Sequence, residues 1–210
     1  MSRKISDSTV RRLSLYLRFL EEFEHEGVAT VSSRQLASQG ATTAAQVRKD
    51  LSLFGSFGKR GRGYEVADLA RKLKAILGLG RRWRVALIGA GRIGSALAEY
   101  GDFRERGFDI VAVFDSDPAK VGRRLARLTV VAERDMERVL ADTPVDIAIV
   151  AVPVGAAQAV VDRAAAAGVH GFLNFAPTQL HAPEGIALRD VNMSMELEAL
   201  AYSLSQDADA

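Results

Sequence analysis

The stretch ALIGAGRIGSAL, residues 86–97, restricts the fold of this 210-residue chain more than any other. An apolar run ends in Gly89-Ala90-Gly91-Arg92-Ile93-Gly94 and leads into helix-forming residues, the strand-turn-helix setting in which a GxGxxG pattern binds dinucleotides. Gly89 permits the tight turn, Gly91 lets backbone approach a pyrophosphate, and Gly94 lets the helix lie close on the strand. The N–H groups that open the helix then face the anion.

From Trp83 onward strand and helix patterns alternate. The expected strands are RVALIGA (84–90), FDIVAVFD (108–115), LTVVAE (128–133), DIAIVAVP (146–153) and HGFLNFA (170–176), and the expected helices are 93–101, 118–126, 133–142 and 155–168. Near-continuous Val, Ile, Leu and Ala in the strands means that both sheet faces are covered, which specifies a Rossmann-like, doubly wound parallel sheet. Asp115 ends the second strand, 21 residues beyond Gly94. A carboxylate there accepts from ribose hydroxyls and repels a 2′-phosphate, favouring NADH/NAD over the phosphorylated cofactor; the alternative is a capping role ahead of Asp117-Pro118. Further cofactor contacts are expected at the C-terminal ends of later strands, from Val152 and Pro153 after the fourth and from Asn174, Ala176 and Pro177 after the fifth. Asn174 either hydrogen-bonds the nicotinamide carboxamide or ribose, or simply caps its turn. A final helix, NMSMELEALAYSLSQ, aligns Met193, Leu197, Leu200, Ala201 and Leu204 with no place in the sheet, and suits packing on a partner.

The front of the chain differs in charge. Residues 1–80 carry 14 Lys and Arg against 8 Asp and Glu, a net +6, whereas the remainder is net −4. Such asymmetry points to an anionic partner, nucleic acid above all. Ser6 or Asp7 starts a helix with Val10, Leu13, Leu17, Leu20 and Phe23 on its apolar stripe, and Ser32 or Ser33 opens a short second helix that Gly40 ends. A third follows, with a capping box expected between Thr43 and Gln46 and with Val47, Leu51 and Phe54 on its buried stripe. This is a helix-turn-helix pattern. Gln46, Arg48 and Lys49, near the start of the third helix, are the candidates to touch bases or phosphates, while Asp50 is expected in a salt bridge or cap. Then FGKRGRGYEV (57–66) interleaves glycines with Lys59, Arg60 and Arg62, as a β-hairpin wing requires; Arg60 suits a narrow minor groove, with Arg62 the alternative. Another helix spans 68–80. The expected domains are therefore a winged helix-turn-helix over 1–80, the dinucleotide-binding sheet over 81–191, and a helix with its tail over 192–210.

Some chemistries find no residues here. The chain has no cysteine and only three histidines, none beside a carboxylate in an acid–base pattern, and no metal-ligand spacing occurs. No catalytic residue is identified, which weighs against the rival reading of an NAD-dependent oxidoreductase with a helical extension. No apolar run is long enough to span a membrane and no signal peptide is read, so a cytoplasmic protein is expected.

Taken in order, VRKDLSLFGSFGKRGRGY (47–64), IGAGRIGSALAEY (88–100) and FLNFAP (172–177) resemble the redox-sensing transcriptional repressors of the Rex family, and the resemblance covers essentially the whole chain. It implies a homodimer whose C-terminal helix is swapped between subunits. Such a dimer binds an inverted-repeat, palindromic operator in double-stranded DNA when NADH is low and releases it when NADH is high, derepressing genes of respiration or fermentation. By position, Arg48 and Lys49 would enter the major groove, Arg60 the minor groove, and Gly91, Arg92, Ile93, Gly94, Ser95 and Ala96 together with Asp115 would hold the cofactor. Arg18 and Tyr100 match residues of the family's switch. The aspartate expected near the start of the C-terminal helix is Asn192 here, which accepts a hydrogen bond but forms no ion pair; Asp190 is the alternative acid.

Overall fold

The computed structural model describes residues 5–58 and 62–208. The chain divides into two units, Met1–Arg81 and Arg82–Ala210. In the first, the Ser6 hydroxyl accepts the N–H of Thr9 and caps α1 (Asp7–His25). Leu13, Tyr16, Leu17 and Leu20 are buried along it, but Val10, expected on that stripe, is 42% exposed. The stripe is rotated toward Thr9 and Tyr16, which leaves Val10 at its margin. After Gly27, held at a positive φ of 75°, comes β1 (Thr30–Val31). Next, α2 (Ser33–Gln39) opens on a complete capping box, with Ser32 and Gln35 bonding each other's backbone N–H. The box expected at Thr43 and Gln46 is only half formed: Thr43 caps α3 (Ala44–Ser52), but the Gln46 side chain turns away to Asp50.

The wing also departs from a simple hairpin. Its described strand, β2 (Tyr64–Glu65), pairs antiparallel with β1, far upstream, and leads directly into α4 (Val66–Ile76). Lys59 and Arg60 lie outside the described residues. Gly58 and Gly63 both have positive φ, 73° and 77°, and a side chain on Gly58 would strike the carbonyl oxygen of Gly63. The two ends of the loop therefore touch, an approach that only glycine allows.

The second unit holds β3 (Trp83–Ile88), α5 (Arg92–Ala98), α6 (Gly101–Glu105), β4 (Phe108–Asp115), β5 (Arg124–Leu125), β6 (Leu128–Ala132), a 3₁₀ turn at Glu133–Asp135, α7 (Met136–Asp142), β7 (Ile147–Val150), α8 (Val154–Ala166), β8 (Gly171–Asn174), β9 (Ala187–Asp190) and α9 (Met193–Ala208). The sheet order is β5-β6-β4-β3-β7-β8-β9, parallel throughout except for β5. Strand order reverses between β3 and β7, and at such a reversal the loops diverge to leave a crevice at the C-terminal strand ends. Alternate residues of the central strands feed two cores: Ala86, Ile88, Phe114 and Val150 on one face, Val85, Leu87, Val113 and Ile149 on the other.

Two expectations fail here. The helix expected over 118–126 is absent: that segment forms turns and then β5, which folds back on β6. Gly122 at φ 80° and Ala126 at φ 50° are left-handed positions that break a right-handed helix. The five expected strands are also two short, since β5 adds beside β6 and β9 beside β8. In α9, residues 193–206 are all exposed, including Met193, Leu197, Leu200, Tyr202 and Leu204.

Candidate functional site

At the end of β3 each fingerprint glycine meets a distinct demand. Gly89 has a φ of 101°, and a side chain there would collide with the carbonyl of Ala151, which follows β7. On Gly94 a side chain would collide with the Gly89 carbonyl, so α5 rests directly on the turn. Space over Gly91 is open. Two glycines thus build the turn and the third leaves it accessible, the arrangement that fits a pyrophosphate against backbone N–H groups. Arg92, Ile93 and Ala96 face solvent from α5, and Ser95 is half-buried.

Asp115, at the end of β4, is 7% exposed and bonded on both oxygens. Oδ2 accepts the Ala90 N–H at 2.7 Å and the Lys120 ammonium at 2.9 Å, while Oδ1 accepts the Asp117 N–H at 2.8 Å. Burial alone would raise its pKa, but the Asp117 N–H, Lys120 and the Ala90 N–H outweigh it and hold the carboxyl below its ordinary range. It fixes the glycine turn to the neighbouring strand. Beside it lies a cavity of 310 Å³ whose walls include Ser116, Pro118, Val121 and Ala132. Sequence reasoning missed these residues; the signal available was Pro118 and Val121 directly after Asp115, hidden by reading the segment as a helix.

The other candidates lie at the same edge of the sheet, since β7 and β8 run parallel to β3. Val152 is half-buried, Pro153 and Pro177 are exposed, and Ala176 is 5% exposed. Asn174 is different. It has no exposed surface, and its amide bonds Ala176, Thr178 and Asp190. The expected hydrogen bond from its side chain to a cofactor is replaced by internal ones, and Asn174 shapes the turn instead.

In the first unit Arg48 and Lys49 stand exposed on α3, with Arg48 reaching the Ser33 hydroxyl at 3.0 Å. Behind them Asp50 is 1% exposed, and four bonds converge on it: two from Arg12 at 2.6 and 2.7 Å, one from the Tyr16 hydroxyl at 3.0 Å and one from the Gln46 amide at 2.7 Å. Burial works to raise the Asp50 pKa, yet these donors, Arg12 foremost, bring it below the ordinary value. Asp50 is the salt-bridge partner expected of it, tying α3 to α1. Gln46 is drawn into the same cluster, so its side chain is committed to the helix rather than presented outward. Arg62 is exposed just before β2.

Comparison with known proteins then decides the family. Residues 4–52 match the model described as the N-terminus of putative DNA-binding proteins, and residues 81–178 match the CoA binding domain model. The redox-sensing transcriptional repressor Rex of Desulforamulus reducens is 45% identical over 202 residues, covering 96% of each chain. The chain belongs to the Rex family of redox-sensing transcriptional repressors. Among solved structures, the Rex-family repressor RSP in complex with β-NAD⁺ and operator DNA is similar with a TM-score of 0.93 and 35% identity, over 98% of this chain and 95% of that one. RSP in complex with β-NADH gives 0.89 and 34%, over 98% and 97%. These relatives are repressors, and the oxidoreductase reading falls.

Three switch candidates of this Rex-family chain occupy distinct settings. Arg18 is exposed on α1. Tyr100 is 54% exposed, packs edge-on against Phe103 at 5.1 Å, and lines an 820 Å³ cavity with Phe108, at the end of β4 away from Asp115. Asn192 caps α9, its Oδ1 accepting the N–H groups of Ser194 at 3.0 Å and Met195 at 3.3 Å. Among the described residues no cluster of three or more His, Asp and Glu could hold a metal ion, and no helix is long and apolar enough to cross a membrane.

Proposed function

We propose that this Rex-family chain is an NADH-responsive repressor that binds an inverted-repeat operator in double-stranded DNA as a homodimer and leaves it as the NADH/NAD ratio rises. The observation that carries the reading is likeness over nearly the whole chain to a repressor solved both with β-NAD⁺ and operator DNA and with β-NADH. The residues fit that use. Gly89 and Gly91–Ala96 would cradle the pyrophosphate, Asp115 would hold the turn and meet the ribose, and Pro118, Val121 and Ala132 would accept a flat base. Val152, Pro153, Ala176 and Pro177 would line the nicotinamide side, with Asn174 supporting them. The bound cofactor supplies a signal; the protein's residues bind and orient it.

On DNA, Arg48 and Lys49 would enter the major groove and Lys59, Arg60 and Arg62 would meet the backbone or minor groove. Gln46 would act through Asp50 by orienting α3. The exposed apolar residues of α9 would be covered by a second copy, and Arg18, Tyr100 and Asn192 would take part in the change between states. A cytoplasmic location follows from such a role. Titrating a palindromic duplex with the full-length chain at several salt concentrations tests the proposal. Sequence-dependent affinity with a steep salt slope is expected, abolished by NADH far more readily than by NAD. Binding indifferent to NADH would sink it.

A further inference from the structure

Asn174 ends β8 at the edge of the sheet where the cofactor would sit, and its side chain is fully enclosed. Its Oδ1 accepts the Ala176 N–H at 2.9 Å, and its Nδ2 faces three acceptors: Ala176 O at 3.1 Å, Thr178 O at 3.0 Å and Asp190 Oδ1 at 2.8 Å. An amide nitrogen has only two hydrogens. The three acceptors therefore share two hydrogens.

The far end of this bond leads straight to α9. Asp190 lies opposite Asn174 in the β8–β9 register, and the Val191 N–H donates to the Asn174 carbonyl at 2.8 Å. The next residue, Asn192, caps α9. No slack residue separates the hydrogen-bonded end of β9 from the helix cap, so a displacement of Asp190 would be passed to the first turn of α9. That helix carries the apolar residues Met193, Leu197, Leu200 and Leu204, exposed in the isolated chain.

We propose that Asn174 is a positioning residue whose shared amide couples the turn at the cofactor mouth, through Asp190, to the root of α9. The inference rests on the NADH-responsive reading above. It assigns to Asp190 a role that depends on accepting a hydrogen bond rather than on charge. A ligand biases a two-state protein only through contacts that differ between the states; the 176–178 turn would make such a contact, and the divided donor would carry its shift to Asp190.

Asp190 is exposed, so its variants are expected to fold, and Asp190→Ala and Asp190→Asn make the test in the full-length chain. Operator affinity is measured with NAD and with saturating NADH, and NADH affinity is measured without DNA from the cofactor's own fluorescence. For Asp190→Ala the ratio of operator Kd with NADH to that with NAD should fall by about tenfold, while NADH affinity changes by less than about twofold. Asp190→Asn should restore the wild-type ratio, because its carbonyl accepts the same N–H. An unchanged ratio in Asp190→Ala, a parallel loss of NADH affinity, or failure of Asp190→Asn to restore the ratio would each overturn the proposal. Wild-type operator binding that ignores NADH would overturn the functional reading and this proposal together, whereas a responsive wild type isolates the coupling itself.

Discussion

Asp50 and Asp115 are both nearly inaccessible, at 1% and 7% exposure, and each gathers bonds from across its own unit. Their partners differ. Asp50 is met by three side chains, two from α1 and one from α3, whereas two of the three donors to Asp115 are backbone N–H groups. A carboxylate bonded by side chains sets one helix against another and so fixes where neighbouring side chains point. One bonded by backbone fixes the path of a loop. The first suits the surface proposed to read a partner through Arg48 and Lys49, the second a turn proposed to bind through its own N–H groups.

The largest effect expected from breaking this contrast is in Asp50→Ala. It leaves Arg12, Tyr16 and Gln46 without their acceptor, and should cost about 2–4 kcal/mol, at the low side for a broken ion pair because Arg12 keeps some access to water. Urea melts followed by circular dichroism, with Trp83 fluorescence reporting on the second unit, would locate the loss; a loss seen equally by Trp83 would deny that Asp50 acts within its own unit. Asp115→Ala should cost less, about 1–3 kcal/mol, since only the Ala90 N–H is left buried without its acceptor while the Lys120 ammonium already reaches water. Its main consequence should be a lost NADH response with operator affinity retained. An unchanged response would remove Asp115 from the site. Lys49→Ala should leave stability within about 0.5 kcal/mol and weaken operator binding by about 1–3 kcal/mol, read by titration of matched and altered duplexes.

Acid gives the smallest effect and sharpens the comparison. Both carboxyls titrate below their ordinary value of 3.8, so the stability they contribute is present in full above that value and is lost as pH falls through their lower folded values. Little change is expected between neutral pH and about 5, with losses below about 4. The acid loss followed by circular dichroism should be shallower in Asp50→Ala than in the wild-type chain. Matching profiles would mean that the Asp50 cluster contributes nothing.

These carboxylates also mark what was legible in the sequence. The glycine turn was readable because each glycine answers a local steric demand, and the caps at Ser6, Ser32 and Thr43 because a cap involves residues only three apart. The family followed from contiguous motifs, and five strands of the sheet from their apolar runs. The Asp50 cluster was readable only as a salt bridge without a partner, since Arg12 and Tyr16 lie 38 and 34 residues away and meet it only after α1 packs on α3. The false helix over 118–126 had helical composition, but Gly122 and Ala126 adopt conformations imposed by the turn into β6. Asn174 carried no sign of burial, because the strand that encloses it, β9, is four residues long and mostly exposed.

The uncovered α9 has a consequence of its own. A helix that leaves Met193, Leu197, Leu200, Tyr202 and Leu204 in water is a liability for an isolated chain, which would tend to cluster indiscriminately. If a second copy covers that face, mass action enters every measured property: dilution should lower the melting temperature and salt or truncation should alter it by way of assembly. The abundance of the protein then becomes a variable of its response, alongside the cofactor ratio, and assays at different protein concentrations would report different set points for the same molecule.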